Sequence, residues 1–190
     1  MTTQTPTHSQ PVAEQPEPLL RGTHSDLPAV LRAIVHAFEL SREDVVLWID
    51  GLNEADLHST PHGLTPIAFH MRHIARSLDR ILTYAEGNQL SAEQFTALRT
   101  ELDPGISREE LLAEFYQGLE SAEARVRAFA SADLEQPRAV GKKQLPTSVG
   151  GLLVHLADHT QRHTGQIVTT AKVLRAADIA SGSVAVHGLS

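Results

Sequence analysis

The amino-acid sequence predicts an all-α protein, a four-helix bundle with a flexible N-terminal leader. Apolar residues recur at intervals of three and four over four long stretches, which is the spacing of one face of an α-helix. Aromatic residues make up only 4% of the chain, so the core must consist mainly of Leu, Ile, Val and Ala. No alternation of apolar and polar residues is long enough to predict a strand. Four such helices bury their apolar faces by packing against one another.

The first predicted helix is capped by Ser25 or Asp26, has Pro28 in its first turn and ends near Gly51. The motif that begins at Ser41 is also a capping box, which leaves open whether this stretch forms one helix or two shorter ones. The apolar residues that recur along it are Val30, Ile34, Phe38, Val45, Trp48 and Leu52.

The second predicted helix begins after Thr65, which can cap it, and Pro66, which suits the first helical position because it has no N–H to satisfy. It runs to about Glu86, where Gly87 is placed to end it in the left-handed conformation. A short helix can follow over residues 91–99, before an Asp-Pro-Gly turn.

The third and fourth predicted helices flank a polar segment. A capping box that begins at Ser107 precedes the most regular apolar spacing in the chain. Residues 131–146 contain prolines, a glycine and several basic side chains, which indicates a loop across one end of the bundle. Thr147 or Ser148 then caps the last helix, which continues to about Arg175.

The length of 190 residues fits one domain with a single core. Residues 1–20 are rich in Thr, Gln, Pro and Glu, so we expect a disordered leader. The bundle is expected over residues 21–178, and the small, weakly patterned residues 179–190 are expected to form a C-terminal tail.

Composition limits the classes of function. Sixteen basic side chains against 23 acidic ones give a net charge of −7, which disfavours nucleic acid and anionic membranes as partners. The chain has no cysteine, so it has neither thiolate ligands nor a thiol nucleophile of its own. No apolar run approaches the roughly 18 residues of a membrane span, and no secretory signal is evident, so a cytoplasmic address is expected by default.

Histidines form the most informative pattern. Of the 11 in the chain, His155, His159 and His163 lie four residues apart in the last helix, and His70 and His73 lie three apart in the second. Each four-residue step drifts by only about 40° around a helix, so the first three form one stripe. Apolar residues lie near both histidine faces, so we expect both to point into the bundle.

Two inward histidine faces can share one divalent ion. His159 and His163 offer two imidazole nitrogens, and the facing helix offers a third from His73, which is preferred to His70. Other coordination positions stay open, and so does whether His70 or His155 joins the site. His155 and His70 can hydrogen-bond a bound water or act as general bases. The alternative is that these are hydrogen-bonded histidines of an ordinary core, since a spacing of four alone is a weak signal.

Two kinds of polar residue remain around this predicted site. Gln166 lies near the histidine stripe, where it can orient a ligand or bind substrate, and an interhelical hydrogen bond is the equal alternative. Asp158 lies about 100° from His159 and is expected at the surface or behind the ligands. The histidines expected to be solvated in the leader, loops or tail are His8, His24, His58, His62 and His187.

The segments HMRHIARSLDR and HLADHTQRHTGQI resemble the DinB/YfiT-like superfamily of metal-dependent four-helix-bundle enzymes, and the resemblance covers roughly residues 25–177. Members bind a divalent metal, often zinc or nickel, through one histidine of the second helix and a His-x-x-x-His pair of the last. By position these ligands are His73, His159 and His163. Many relatives have two adjacent histidines before the Gly-Gln step, whereas Arg162 precedes the last histidine here.

The resemblance implies a low-molecular-weight-thiol-dependent S-transferase that acts on small electrophiles, and a homodimer. Known relatives include transferases and isomerases that use bacillithiol, mycothiol or glutathione. Arg80, on the histidine face of the second helix, can pair with a carboxylate of such a cosubstrate, as can Arg138, Lys142 and Lys143 of the loop. Ordinary solvated charges are the alternative for the lysines.

Two rival functions stay open from sequence alone. The first is a metal-dependent hydrolase, in which the ion activates water and His155 or His70 carries the proton. The second is a non-catalytic metal-binding protein of the stress response, in which the histidines clamp two helices together. An ion with three protein ligands and an open position indicates an enzyme, whereas four protein ligands indicate a clamp.

Overall fold

A computed structural model describes residues 15–180, with side chains described up to residue 177. This part of the chain is mostly helical, as predicted, with one small two-stranded sheet. The four long helices are α1 (Ala29–Ile49), α3 (Ile67–Ala85), α5 (Arg108–Arg127) and α6 (Val149–Ala180). The short helices are α2 (Glu54–His58) and α4 (Ala92–Arg99), and the strands are β1 (Pro137–Val140) and β2 (Leu145–Ser148).

Helix α1 is one continuous helix, which settles the alternative left open by the motif at Ser41. The side chain of Ser41 is fully buried, and its hydroxyl lies 2.6 Å from that of Thr164 on α6. A serine that bonds a neighbouring helix does not cap its own chain. The bond instead ties α1 to α6 at a buried position.

Three capping boxes fix the starts of α2, α4 and α5. The caps predicted at Ser25 or Asp26 and at Thr65 are wrong, because α1 and α3 follow Pro28 and Pro66 with no side-chain cap. Ser91 begins α4 and Ser107 begins α5, both as predicted, and in each case the side chain accepts a hydrogen bond from the third residue of the helix. Asn53 does the same for α2, a helix of five residues between the first two predicted helices, where no helix was predicted. A single helical turn is too short to show a periodic pattern, so only its cap carried a signal.

The loop predicted over residues 131–146 is wrong in part, because the structure forms a β-hairpin there. Strands β1 and β2 pair antiparallel, with Val140 opposite Leu145. Gly141 and Gln144 adopt positive φ angles of 69° and 49° in the connection. Strands of four residues show too little alternation to be recognised from sequence.

The hairpin is fixed to the helices at both ends. Arg138 of β1 donates from Nε to the carbonyl of Ala85, the last residue of α3, over 2.7 Å. Ser148 ends β2, and its hydroxyl accepts a hydrogen bond from the N–H of Gly151 at 3.1 Å, so it caps α6 as predicted. The hairpin therefore lies beside the end of α3 and the start of α6.

Helix α3 is the centre of the packing, since it lies against both α5 and α6, while α1 packs on α6 and α5. Helices α3 and α5 approach closely at Gly118, where a Cβ atom would stand 2.5 Å from the Cβ of Ala75. The largest fully buried side chains are Leu31, Ile34, Ile49, Leu57, Ile67, Met71, Ile74, Leu78, Leu82, Leu111, Phe115 and Leu119.

The predicted leader and tail lie mostly outside the described residues, which exclude 1–14 and 181–190. Within the described part, Pro18–Leu20 forms a turn of 3-10 helix, and Arg21 forms an ion pair with Glu43 of α1. Helix α6 continues to Ala180, beyond the predicted end near residue 175. Of the helices described, none combines the length and the low polarity that a membrane span requires.

Substitution of Gly118 by Ala should lower the free energy of unfolding by about 1–3 kcal/mol, because the added methyl group meets the backbone of α3 and forces the helices apart. Gly165→Ala in α6 is the matched control. Its added methyl group meets no atom within 4 Å, and it should raise the free energy of unfolding by up to about 1 kcal/mol. Urea unfolding followed by circular dichroism measures both, and equal effects would contradict the close contact.

Candidate metal centre

Three histidines from two helices converge on one point. His73 lies on α3, and His159 and His163 lie one turn apart on α6. One ring nitrogen from each lies within 4.8 Å of the others, and the Nε2 atoms of His73 and His159 are 3.2 Å apart. The structure therefore brings the predicted trio together, while its role in metal binding stays a prediction.

Hydrogen bonds to the far side of two rings assign their tautomers. Nδ1 of His73 lies 2.7 Å from the carboxylate of Glu101, which can only accept a hydrogen bond from it. The hydroxyl of Ser77 donates to the carbonyl of Ile74, so it accepts from Nδ1 of His159 at 3.3 Å. In their neutral forms both rings therefore carry their proton on Nδ1, and both Nε2 atoms present a lone pair.

Two lone pairs facing each other over 3.2 Å repel unless a cation lies between them. Two nitrogens that each lie about 2.0 Å from a shared ion, at the tetrahedral angle, stand about 3.3 Å apart. The separation of His73 and His159 thus suits a divalent ion. Ligation by imidazole alone suits zinc, nickel, iron or copper.

His163 is held by a fourth histidine. Its Nδ1 lies 3.0 Å from Nδ1 of His70, which is 2% exposed. A proton on Nδ1 of His163, donated to His70, leaves Nε2 of His163 as its lone pair. His70 and the exposed Gln166 line a separate cavity of about 210 Å³. Neither is among the described residues that line the larger cavity beside the trio.

Glu101 completes the site, and sequence reasoning missed it. It follows α4, is 5% exposed, and accepts hydrogen bonds of 2.7 Å from both His73 and Arg80. A carboxylate that orients a ligating histidine raises the basicity of the ring and fixes its direction. A single glutamate in an irregular segment has no spacing pattern, so only the requirement that a ligating histidine be held from behind pointed to such a residue.

Burial keeps His70, His159 and His163 neutral at physiological pH. Desolvation, reinforced by repulsion among neighbouring imidazoles, lowers the pKa of His159 to about 3 and those of His70 and His163 to about 4. Burial alone would raise the pKa of Glu101, but the hydrogen bonds that it accepts outweigh burial and lower it. Neutral rings beside an anionic carboxylate form a site suited to a cation.

A cavity of about 720 Å³ opens beside the trio and is lined by His73, His159, His155 and Arg80 among others. The expectation that His155 points inward is wrong, because its side chain is 45% exposed at the edge of this cavity. The stripe drifts by about 40° per step, so two steps carry His155 off the face that holds His163. Its ring centre is 5.3 Å from that of His159.

Two histidines expected in solvent are hydrogen-bonded instead. His24, with His36 and Glu39, forms a second cluster in which Nε2 of His24 lies 2.8 Å from the carboxylate. Arg127 donates to Nδ1 of His24, so Nε2 carries the proton toward Glu39, and the guanidinium disfavours a cation there. This cluster joins the segment before α1 to α1 and α5.

The second of these histidines is His58. Its Nε2 donates a hydrogen bond to the backbone carbonyl of Ile106 over 2.9 Å.

Comparison with known families places the site in context. Residues 37–167 match the sequence model of the family described as the DinB superfamily, a range that includes all three histidines of the trio. A comparison with curated proteins found no match.

Substitution of Glu101 by Gln should weaken binding of zinc or cobalt about 10- to 100-fold, because the ring of His73 loses its anionic partner. Titration of the metal-free protein against a chelating dye measures the affinity. Glu114→Gln is the matched control, since Glu114 pairs with Arg76 of α3 and contacts none of the trio. Equal losses in both variants would show that Glu101 acts only on stability.

Chelator-treated protein should lose stability as the pH falls from about 6.5 to about 4. In the unfolded protein, His70, His159 and His163 take up protons over this pH range. In the folded protein they stay neutral until the pH reaches their lowered pKa values. The unfolded state then binds more protons, so the free energy of unfolding falls. Urea midpoints at pH 7.5 and pH 5 measure this effect, and His159→Gln should show a smaller difference. A urea midpoint that rises between pH 7.5 and pH 5 would contradict the lowered pKa values of these histidines.

Proposed function

Because the chain belongs to the DinB superfamily, we propose that it is a divalent-metal-dependent enzyme that transfers a low-molecular-weight thiol to a small electrophile. The observation that carries this proposal is the pair of opposed Nε2 lone pairs on His73 and His159, beside a cavity of about 720 Å³. The proposal includes the finer architecture, a four-helix bundle of α1, α3, α5 and α6. The homodimer that the resemblance implies stays a prediction.

The proposed ligands are His73, His159 and His163. When bound, a divalent ion supplies the Lewis acidity that favours the thiolate form of a thiol at neutral pH. Glu101 and Ser77 hold the proton of a ligating ring on Nδ1, so that Nε2 faces the shared point. A chain without cysteine must take its thiol from solution, which agrees with a cosubstrate.

Residues of the cavity supply the remaining roles. In the transfer, a sulfur–carbon bond forms, and the leaving group departs from that carbon with the bonding electron pair. We assign the thiol proton to His155, at the ring nitrogen that does not face Asp158, and from there to solvent. One N–H group of Arg80 donates a hydrogen bond to Glu101. The other N–H groups of the guanidinium are proposed to bind a carboxylate of the thiol cosubstrate.

Two other predicted site residues, His70 and Gln166, lie away from the larger cavity and are given other roles. His70 lies behind His163, away from the larger cavity, and is proposed to orient that ring. Gln166 lies near the smaller cavity, and its binding role stays a prediction. A hydrolase is the second candidate function, favoured by the exposure of His155 at the cavity edge, where solvent reaches it.

Protein purified without a histidine tag should contain about one divalent ion per chain and should join glutathione or a related thiol to 1-chloro-2,4-dinitrobenzene. His159→Ala should lose both the metal and the transfer, because two of the three ligands bind much more weakly than three. His155→Ala should keep the metal and lower kcat about 10²-fold or more, as loss of a general base does. Elemental analysis and absorbance of the product measure these effects.

His62→Asn is the control, because His62 is exposed, lies outside the cavity, and adopts a φ of 50° that asparagine tolerates. It should retain both metal and activity. Ester hydrolysis that needs no thiol would favour the hydrolase. A metal with four protein ligands and no turnover would indicate a structural clamp.

A further inference from the structure

The cavity beside the three histidines has two chemically different ends. Along α3, the residues that line it are His73, Ser77, Ile81 and Tyr84, together with Arg80, on one face of the helix. Tyr84 lies eleven residues after His73, so at about 1.5 Å per residue the cavity extends about 16 Å along α3. A group bound near the histidines therefore has room to extend well beyond them.

The far end lies away from the histidines because α3 and α6 run antiparallel. His73 faces His159, whereas Tyr84 at the other end of α3 packs with Leu152 near the start of α6. Val140 of the hairpin packs against the same cluster. One end of the cavity thus carries imidazoles and the other carries apolar side chains.

The far end has no formal charge among the described residues that line it. The apolar side chains of the whole lining form what we call the apolar wall, which runs from α4 to the far end, and they are Ile81, Tyr84, Leu90, Phe95, Leu98, Val140, Leu145 and Leu152. The one Arg of the lining, Arg80, bonds Glu101 and so belongs to the histidine end. A neighbouring cavity of about 370 Å³ between α3, α4 and α5 is lined by charged side chains such as Arg76, Asp79, Glu93 and Arg125.

Large side chains of the apolar wall stay partly exposed. Phe95 and Leu98 of α4 are 37% and 41% exposed, and Leu145 of β2 is 58% exposed. Apolar surface gathered from two separate elements around one cavity is typical of a ligand site, whereas single exposed apolar residues need no explanation. A bound apolar group would cover this surface.

We propose that the apolar wall of this cavity, from α4 to the far end, binds an uncharged alkyl or aryl group, which makes the electrophilic substrate an apolar molecule. This rests on the proposed function, in which the thiol occupies the histidine end near Arg80. The electrophile then approaches from the apolar end, and its reactive carbon lies between the two. The cavity volume of about 720 Å³ is in the range that binds small molecules.

Binding of the uncharged fluorophore N-phenyl-1-naphthylamine tests whether the apolar wall binds an apolar group in the absence of metal. Titration of chelator-treated protein should show one saturable site. Leu98→Asp should weaken it at least about tenfold, because a carboxylate must then be desolvated against the probe. Phe95→Ala should weaken it less, because it removes apolar contact without adding charge. Both residues are partly exposed, so both variants should fold.

Leu19→Asp is the matched control, since Leu19 is an exposed leucine that lines a different cavity, near α1. It should leave the affinity unchanged. Equal affinities in the wild type, Leu98→Asp and Leu19→Asp proteins would overturn the proposal. A larger loss in Leu19→Asp would place the apolar site at the other cavity and would also overturn it.

Metal-loaded protein separates this inference from the proposed function. If both hold, kcat/KM for thiol transfer to n-alkyl electrophiles should rise by up to about fourfold per methylene, and Leu98→Asp should abolish the rise. Probe binding that depends on Leu98, without thiol transfer, would support the apolar site and contradict the transferase. Suppose instead that kcat/KM does not depend on the alkyl chain length and that Leu98→Asp leaves the affinity for the fluorophore unchanged. This result would support the transferase and overturn the apolar site.

Discussion

The structure of the site depends on one unfavourable contact, the two imidazole lone pairs that face each other over 3.2 Å between α3 and α6. Each ring is held in this orientation from behind, His73 by Glu101 and His159 by Ser77. The surrounding fold must therefore oppose the repulsion, which it does by packing α3 between α5 and α6, with Gly118 allowing a close approach of α5 to α3. Rigid packing is what lets neutral, desolvated histidines stay together.

Much of the fold was predictable because long amphipathic helices and their caps carry strong local signals. The starts of α4 and α5 follow from the capping boxes at Ser91 and Ser107. The four-residue strands of the hairpin and the single turn of α2 are too short for a periodic pattern. The choice between one and two helices around Ser41 depended on a tertiary bond to Thr164, which no local pattern contains.

The site was predictable to the extent that it follows helical spacing. His159 and His163 share a face because they lie one turn apart, and the pattern on α3 supplied His73 as their partner. Glu101 comes from an irregular segment, and its position depends on how the chain after α4 returns across α3. Spacing gives the drift of the histidine stripe but does not show where the neighbouring elements end, so which of its histidines is exposed required the structure.

The hairpin and α4 stand outside the four long helices, yet they supply much of the wall of the larger cavity. Phe95, Leu98 and Leu145 are partly exposed, so exchanging them disturbs little of the core. The ligand set, in contrast, is embedded in the helices that hold the protein together. Such a division allows a lineage to acquire new substrates through changes in a few peripheral segments while the reactive centre is inherited intact.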